Sequence, residues 1–160
     1  MTPEILKSFE IQTVLIKDCV EELRPLRVAH YFETEPAYKH HTVNVNYPHF
    51  IACEAAGSVV CFGARLVDSQ QLIAYLIVYV TPSAHDSSLV ASDDGYYIVP
   101  EYRGSGLARR LLKYSEKRLK ELGVDYFIMS SRKPSGGANV GVLLEDEGFK
   151  PLGVAYSKAL

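Results

Sequence analysis

The most constraining stretch of this chain is Tyr96 to Leu112, YYIVPEYRGSGLARRLL. A β-type segment ends at Pro100, the chain turns through Gly104 and Gly106, and a basic helical pattern begins. A helix N-terminus leaves backbone N–H groups unpaired and carries roughly half a positive charge. Glycines let those groups approach an anion without a Cβ in the way. The pattern therefore predicts an anion cradle suited to a pyrophosphate, with Arg103 at its lip. Arg109, Arg110 or Lys113 could reach a further phosphate from the first turns of the helix. The bland alternative is a tight turn followed by a solvated basic face.

Other phosphate-binding patterns fit poorly. A dinucleotide fingerprint needs a third glycine, and that position is Arg109. Asp125 lies near the distance of an acidic ribose contact but opens the next strand instead of closing it. A Walker loop needs Gly-Lys-Ser/Thr, which the sequence lacks. Ser105 has its glycines immediately adjacent, so it is no hydrolase elbow.

Around this stretch the chain reads as one domain, 1–160, of mixed α/β class. Its 160 residues are 48% hydrophobic and 22% charged, which is enough for a core and argues against disorder. Phe9 to Ile16 alternates as a strand. Asp18 and Glu21 suggest a capping box opening a helix over 19–30, which Pro25 should kink or split. Tyr31 to Val45 reads as loop or short helix. Asn46-Tyr47-Pro48 opens a short helix that Gly57 ends, with a strand over 50–53 as the competing reading. Val59–Val67 and Gln71–Thr81 form a hairpin about Asp68-Ser69-Gln70, and a third antiparallel strand covers 93–99. Leu107, Leu111, Ser115, Leu119 and Leu122 make the inner stripe of a helix over 107–122. A buried-type strand over 125–130, a short helix over 139–146 and a last strand over 154–157 complete the order.

Net charge is -2, which argues against a general nucleic-acid binder. No apolar run approaches the ~20 residues of a membrane helix. Cys19, Cys53 and Cys61 form no CxxC pair and suit reduced thiols in a cytoplasmic protein. His30, His40, His41 and His49 lack ligand spacing, so no metal is expected.

Arg103-Gly104-Ser105-Gly106-Leu107-Ala108 resembles the Arg/Gln-x-x-Gly-x-Gly/Ala signature of the GCN5-related N-acetyltransferases (GNAT). Tyr97-Ile98-Val99-Pro100-Glu101-Tyr102 resembles that family's strand-to-proline entry. Asn139 and Gly148-Phe149 continue the likeness over the C-terminal two-thirds. Pro82-x-x-His85, Ala91-x-x-Asp94 and Pro100-Glu101-x-Arg103-Gly104 are similar to a subgroup met in bacteriophages and prophages.

The resemblance implies a central, mostly antiparallel, splayed sheet flanked by helices, the acyl-CoA N-acyltransferase fold. It implies acetyl-CoA as acyl donor, an amine as acceptor and, as in many members, a homodimer. Ile98 and Val99 would pair with the pantetheine arm through their backbone. The N–H groups of Gly104, Ser105, Gly106, Leu107 and Ala108 would hold the pyrophosphate, and Asn139 would contact the CoA arm. A backbone N–H at the end of the 96–99 strand would polarise the thioester carbonyl. The 31–47 stretch would wall the acceptor side.

The amine must also lose a proton. Asp94 is the candidate base on the strand facing the thioester, Asp93 is expected on the opposite face, and His85 is a second candidate. Many family members carry a tyrosine four residues before the Gly of Gly-Phe, and here that residue is Leu144. Either another group such as Tyr97 or Tyr156 then protonates the leaving thiolate, or no acid is needed, since a CoA thiolate is a tolerable leaving group by itself. Leu144 also motivates the rival reading, a non-catalytic acyl-CoA-binding module acting on a macromolecular partner.

Overall fold

The computed structural model describes residues 8–34, 42–131, 140–156 and 158. Its elements are β1 (Phe9–Val14), α1 (Ile16–Thr34), α2 (Tyr47–Ala55), β2 (Val59–Leu66), β3 (Leu72–Pro82), β4 (Leu89–Ile98), a 3-10 turn (Pro100–Tyr102), α3 (Leu107–Glu121), β5 (Tyr126–Ile128) and α4 (Val140–Asp146). The strands form one sheet in the order β1-β2-β3-β4-β5. The first four are mutually antiparallel, and β5 runs parallel to β4.

The apolar run of β3 takes the centre because both of its faces can be buried. Ala74, Leu76 and Val78 pack with Phe62 and with Leu107, Leu111 and Leu119 of α3. Tyr75 and Ile77 face the other way, against Leu23 of α1 and Phe50 of α2. Period two thus sorts one strand between two helical layers. On α3, Ser115 is buried with its hydroxyl donating to the Leu111 carbonyl at 2.8 Å. Leu122, expected in the stripe, is half exposed at the C-cap.

Asn46 caps α2 as its sequence predicts, accepting from His49 N–H at 3.1 Å. Gly57 follows in the left-handed conformation. The start of α1 differs from expectation. The helix begins at Ile16, and the Glu54 carboxylate of α2 accepts from Ile16 N–H at 2.7 Å and Lys17 N–H at 3.3 Å. A carboxylate distant in sequence therefore does the capping assigned to Asp18. The non-helical residue inside α1 is Cys19 (φ -127°), not Pro25.

Two strand expectations also change. Tyr126 and Ile128 are exposed, so β5 is not a buried strand. Val154 and Tyr156 are 78% and 93% exposed, and residues 151–156 form no strand.

Candidate active site

The site arises where β4 and β5 part. They pair only through Val90–Tyr126, Ala91–Phe127 and Ser92–Ile128. Beyond Ser92, β4 runs on with its outer edge open. At the apex, the Asp93 carboxylate accepts from Ser130 N–H at 2.7 Å.

A bulge lies on the next residue. Val78 pairs with Asp93 and Ile77 with Gly95, so Asp94 has no partner on β3. An extra residue breaks the alternation of faces. Asp93 and Asp94 accordingly both line one cavity of about 410 Å³, contrary to the expected opposite faces. Burial raises the Asp93 carboxyl above its ordinary range, partly offset by its Ser130 bonds.

Asp94 is ion-paired. Its Oδ2 lies 2.6 Å from Arg27 Nη1 of α1, and both side chains are mostly covered. Gly95 makes room for this crossing, since a Cβ there would stand 2.9 Å from Arg27 Nη1 and 3.3 Å from His30 Cε1. The chain of contacts continues inward. His30 Nδ1 is 2.7 Å from the Tyr75 hydroxyl, and the His30 ring stacks on Tyr97 at 5.2 Å.

Tyr97 is buried on the cavity wall. Burial raises its phenol, while nearby Arg103 pulls it down. His85 does not join them. It is exposed in the loop beyond the Pro82–Leu89 pair. At ~3.3 Å per residue, the five-residue step from Leu89 to Asp94 alone is about 17 Å. Tyr156 is exposed and does not line the cavity, and Leu144 is buried.

At the other end of the open edge, Val99 N–H donates to the Ile73 carbonyl at 3.0 Å. By the alternation of an antiparallel ladder, Tyr96 and Ile98 turn their backbone groups toward the open side. Val99 therefore spends its N–H on β3, and its carbonyl accepts from Tyr102 N–H at 3.0 Å. Of the two residues expected to offer backbone to a pantetheine arm, Ile98 alone faces the gap.

The glycine turn has the conformation the sequence predicts. Gly104 (φ +77°) and Gly106 (φ +80°) are left-handed, with open space where a Cβ would stand. Ser105 Oγ donates to the Tyr102 carbonyl at 2.7 Å. Gly106 is the N-cap of α3 and supplies no side-chain cap. The first helical bond runs from Arg110 N–H to the Gly106 carbonyl, leaving the N–H groups of Leu107, Ala108 and Arg109 without helical partners. This is a backbone cradle of the kind a pyrophosphate fits.

The cationic side chains around it are otherwise engaged. Arg103 makes a two-pronged pair with Glu33 of α1, both contacts 2.8 Å, and its Nε donates to the Ile98 carbonyl at 2.9 Å. Arg109 and Lys113 pair with Glu147 after α4, and Arg110 lies over the Phe9 ring at 4.4 Å. Asn139 lies outside the described residues, as do His40 and His41. Among the described residues no cluster of His, Cys, Asp or Glu could hold a metal ion. Asp125, the ribose candidate of the dinucleotide reading, accepts instead from Leu89 N–H at the far end of β4.

Sequence reasoning missed Arg27, His30 and Glu33. The signal was available: Ile16, Cys19 and Leu23 line the buried face of α1, and Arg27, His30 and Thr34 continue it at helical spacing. Polar residues on an inward stripe mark a site, not a core. From the 31–47 stretch, Tyr31, Thr34, Val43 and Val45 do line the cavity.

Known structures share this architecture. A ribosomal-protein-alanine N-acetyltransferase from Brucella melitensis biovar Abortus 2308 superposes with TM-score 0.74 at 16% identity, covering 96% of this chain and 99% of that one. Glucosamine-6-phosphate N-acetyltransferase from Arabidopsis thaliana gives 0.71 at 16% identity, over 95% and 98%. An aminoglycoside antibiotic 6'-N-acetyltransferase from Acinetobacter baumannii gives 0.67 at 20%, over 96% and 99%. At such identities the likeness is one of fold. None of the curated proteins matches the chain. The family model of the acetyltransferase (GNAT) family matches residues 18–142, from α1 through the splayed strands and the glycine turn into α4. With the sheet order, the splay and the uncapped turn, that match establishes that the chain belongs to the acetyltransferase (GNAT) family.

Proposed function

We propose that the protein transfers the acetyl group of acetyl-CoA to a primary amine, carried by a small molecule or by a protein lysine or N-terminus. One observation carries this reading. The splay of β4 from β5 forms a single cavity with two carboxylates at its apex and the glycine turn at its mouth. The turn and the first N–H groups of α3 suit the pyrophosphate, and the open edge at Ile98 suits the pantetheine amide groups. Tyr96 and Ile98 N–H groups lie where one could polarise a thioester carbonyl.

In the transfer, the amine nitrogen bonds to the carbonyl carbon, the carbon–sulfur bond breaks and CoA leaves as its thiolate. The amine proton goes to Asp93, directly or through one water. Asp93 is preferred over Asp94 because among the described residues no cation pairs with it and burial raises its proton affinity. Asp94 instead holds Arg27. Leu144 brings no hydroxyl to the leaving sulfur, which departs either unassisted or with the Tyr97 phenol. Cys19, Cys53 and Cys61 are all free, which suits a cytoplasmic setting. The bacteriophage-type likeness rests on the 82–104 motifs, and a homodimer on the family habit alone.

The test is incubation with acetyl-CoA and a panel of polyamines, aminoglycosides and lysine peptides, followed by thiol release and product mass. A gain of one acetyl group on an amine, lost in Asp93→Asn, is expected. Acetyl-CoA binding with no turnover on any amine would favour the non-catalytic module.

A further inference from the structure

Two ion pairs of opposite polarity tie α1 to β4 and to the turn that follows it. At the apex, Arg27 of α1 meets Asp94. In the last turn of α1, Glu33 meets Arg103, the residue directly before Gly104. Arg103 Nη1 and Nη2 donate to Oε1 and Oε2 of Glu33, each at 2.8 Å. Its Nε donates to the Ile98 carbonyl at 2.9 Å, and its guanidinium lies 5.4 Å from the centre of the Tyr97 ring. A two-pronged contact of this kind fixes a planar guanidinium in one orientation.

Glu33 is poorly placed for its own helix. The C-terminal end of a helix carries roughly half a negative charge, so a carboxylate in the last turn is repelled. Among the described residues, that turn has no basic residue to offset it. The cation comes instead from Arg103.

The pair also changes what the cavity offers an anion. Glu33, Arg103, Gly104 and Ala108 line the same cavity. A guanidinium next to the glycine turn, left unrestrained, would be drawn to an anion held there. Glu33 holds it against the end of β4 and neutralises its charge.

We propose that Glu33 sets the affinity of the donor site by withholding the Arg103 guanidinium from the anion in the glycine cradle. Binding at the turn is thereby weaker than its neighbouring residues allow, and neither the CoA product nor another pyrophosphate carrier is retained by that charge. The inference rests on the reading of the glycine turn as the pyrophosphate site.

The experiment is calorimetric titration in metal-free buffer with inorganic pyrophosphate and, separately, acetyl-CoA. It uses the wild type, Glu33→Gln and the double variant Glu33→Gln/Arg103→Gln. Glutamine keeps the size of Glu33 and removes its charge. In Glu33→Gln the released guanidinium should gain a charged hydrogen bond to pyrophosphate, about tenfold in affinity. Added salt should shrink that gain. The double variant replaces one neutral pair by another and should return to the wild-type affinity. In ¹⁵N spectra, the Arg103 Nε–H signal should follow pyrophosphate in Glu33→Gln and not in the wild type. A pair that only ties two elements together would change the melting temperature and leave both affinities alone.

Unchanged or weaker pyrophosphate binding in Glu33→Gln would overturn the proposal. So would a double variant that keeps the gain, or an Arg103 signal that already follows pyrophosphate in the wild type. If the wild type binds acetyl-CoA alongside any of these results, the donor site stands and this inference alone is lost. Binding of neither ligand by any of the three proteins would remove the donor site and the inference with it. Acetyl transfer that fails while the affinities behave as predicted would sink the proposed function and leave this inference in place.

Discussion

Arg27 of α1 and Asp94 of β4, 67 positions apart, meet at 2.6 Å near the apex of the splayed sheet. The contact joins the helix that walls the cavity to the strand that floors it. It exists because Asp94 is the bulged residue and Gly95 leaves space for the guanidinium.

Removing that carboxylate should therefore be felt first in stability. Asp94→Asn leaves Arg27 with an unmatched charge, and the Arg27 side chain is only 15% exposed. We expect a loss of about 2 kcal/mol, below the range for a fully buried pair. Urea unfolding measures it. A loss of turnover with unchanged stability would instead make Asp94 the proton acceptor.

Asp93 should behave oppositely. Its charged form is disfavoured by burial, so Asp93→Asn should leave the melting temperature at pH 7 equal or higher. Its kcat/KM should fall by about 10²–10⁴. Because the carboxyl is raised, the acid limb of the wild-type pH profile should lie above the ordinary 3.8 of an aspartate. Activity should disappear as pH falls through it. An acid limb at or below the ordinary value would contradict the assignment.

Glu22 supplies an independent test by acid. Arg65 holds it with contacts of 2.7 and 2.8 Å, and Leu72 N–H adds a third bond. These bonds lower its carboxyl from the ordinary 4.5. The stabilisation is fully present above that unfolded value and is lost as pH falls through the lower folded one. Glu22→Gln should melt below the wild type at pH 7, and the gap should close as pH falls through the lowered folded value. A gap that does not change with pH would mean packing, not charge, is what Glu22 contributes.

Tyr47 is buried, and among the described residues its hydroxyl has no hydrogen-bond partner. Its ring remains useful under Arg24, 5.2 Å away. Tyr47→Phe should be neutral or stabilising by about 1 kcal/mol, since it removes an unsatisfied polar group and keeps the ring. Thermal unfolding that shows a clear loss would reveal a partner for that hydroxyl.

Local chemistry made much of this readable. Asn46, Gly57 and Gly106 act within a turn of their own positions, and the alternation of β2 and β3 needs only period two. What stayed hidden depends on distant partners. The Glu54 carboxylate displaces the local capping box at Asp18, because the two helices meet only in the fold. The bulge at Asp94 reflects the register of β3, and one extra residue turned the expected face of Asp93 around. Arg103 sits in the motif as expected, yet Glu33 lies 70 positions earlier and captures its side chain. Val154 and Tyr156 carry strand-forming residues, but no neighbouring strand receives them among the described residues.

The most direct test of the account is thermal unfolding with acetyl-CoA, with NAD as control, in the wild type and in Gly106→Glu. Acetyl-CoA at about 100 times its dissociation constant should stabilise the wild type by ~2.7 kcal/mol, a shift of several degrees, while NAD gives none. Gly106→Glu puts bulk and negative charge into the cradle at a left-handed position, so it should lose the shift while remaining folded. No shift in the wild type, or the same shift in the variant, would contradict the assignment of the glycine turn as the site that holds the acyl donor.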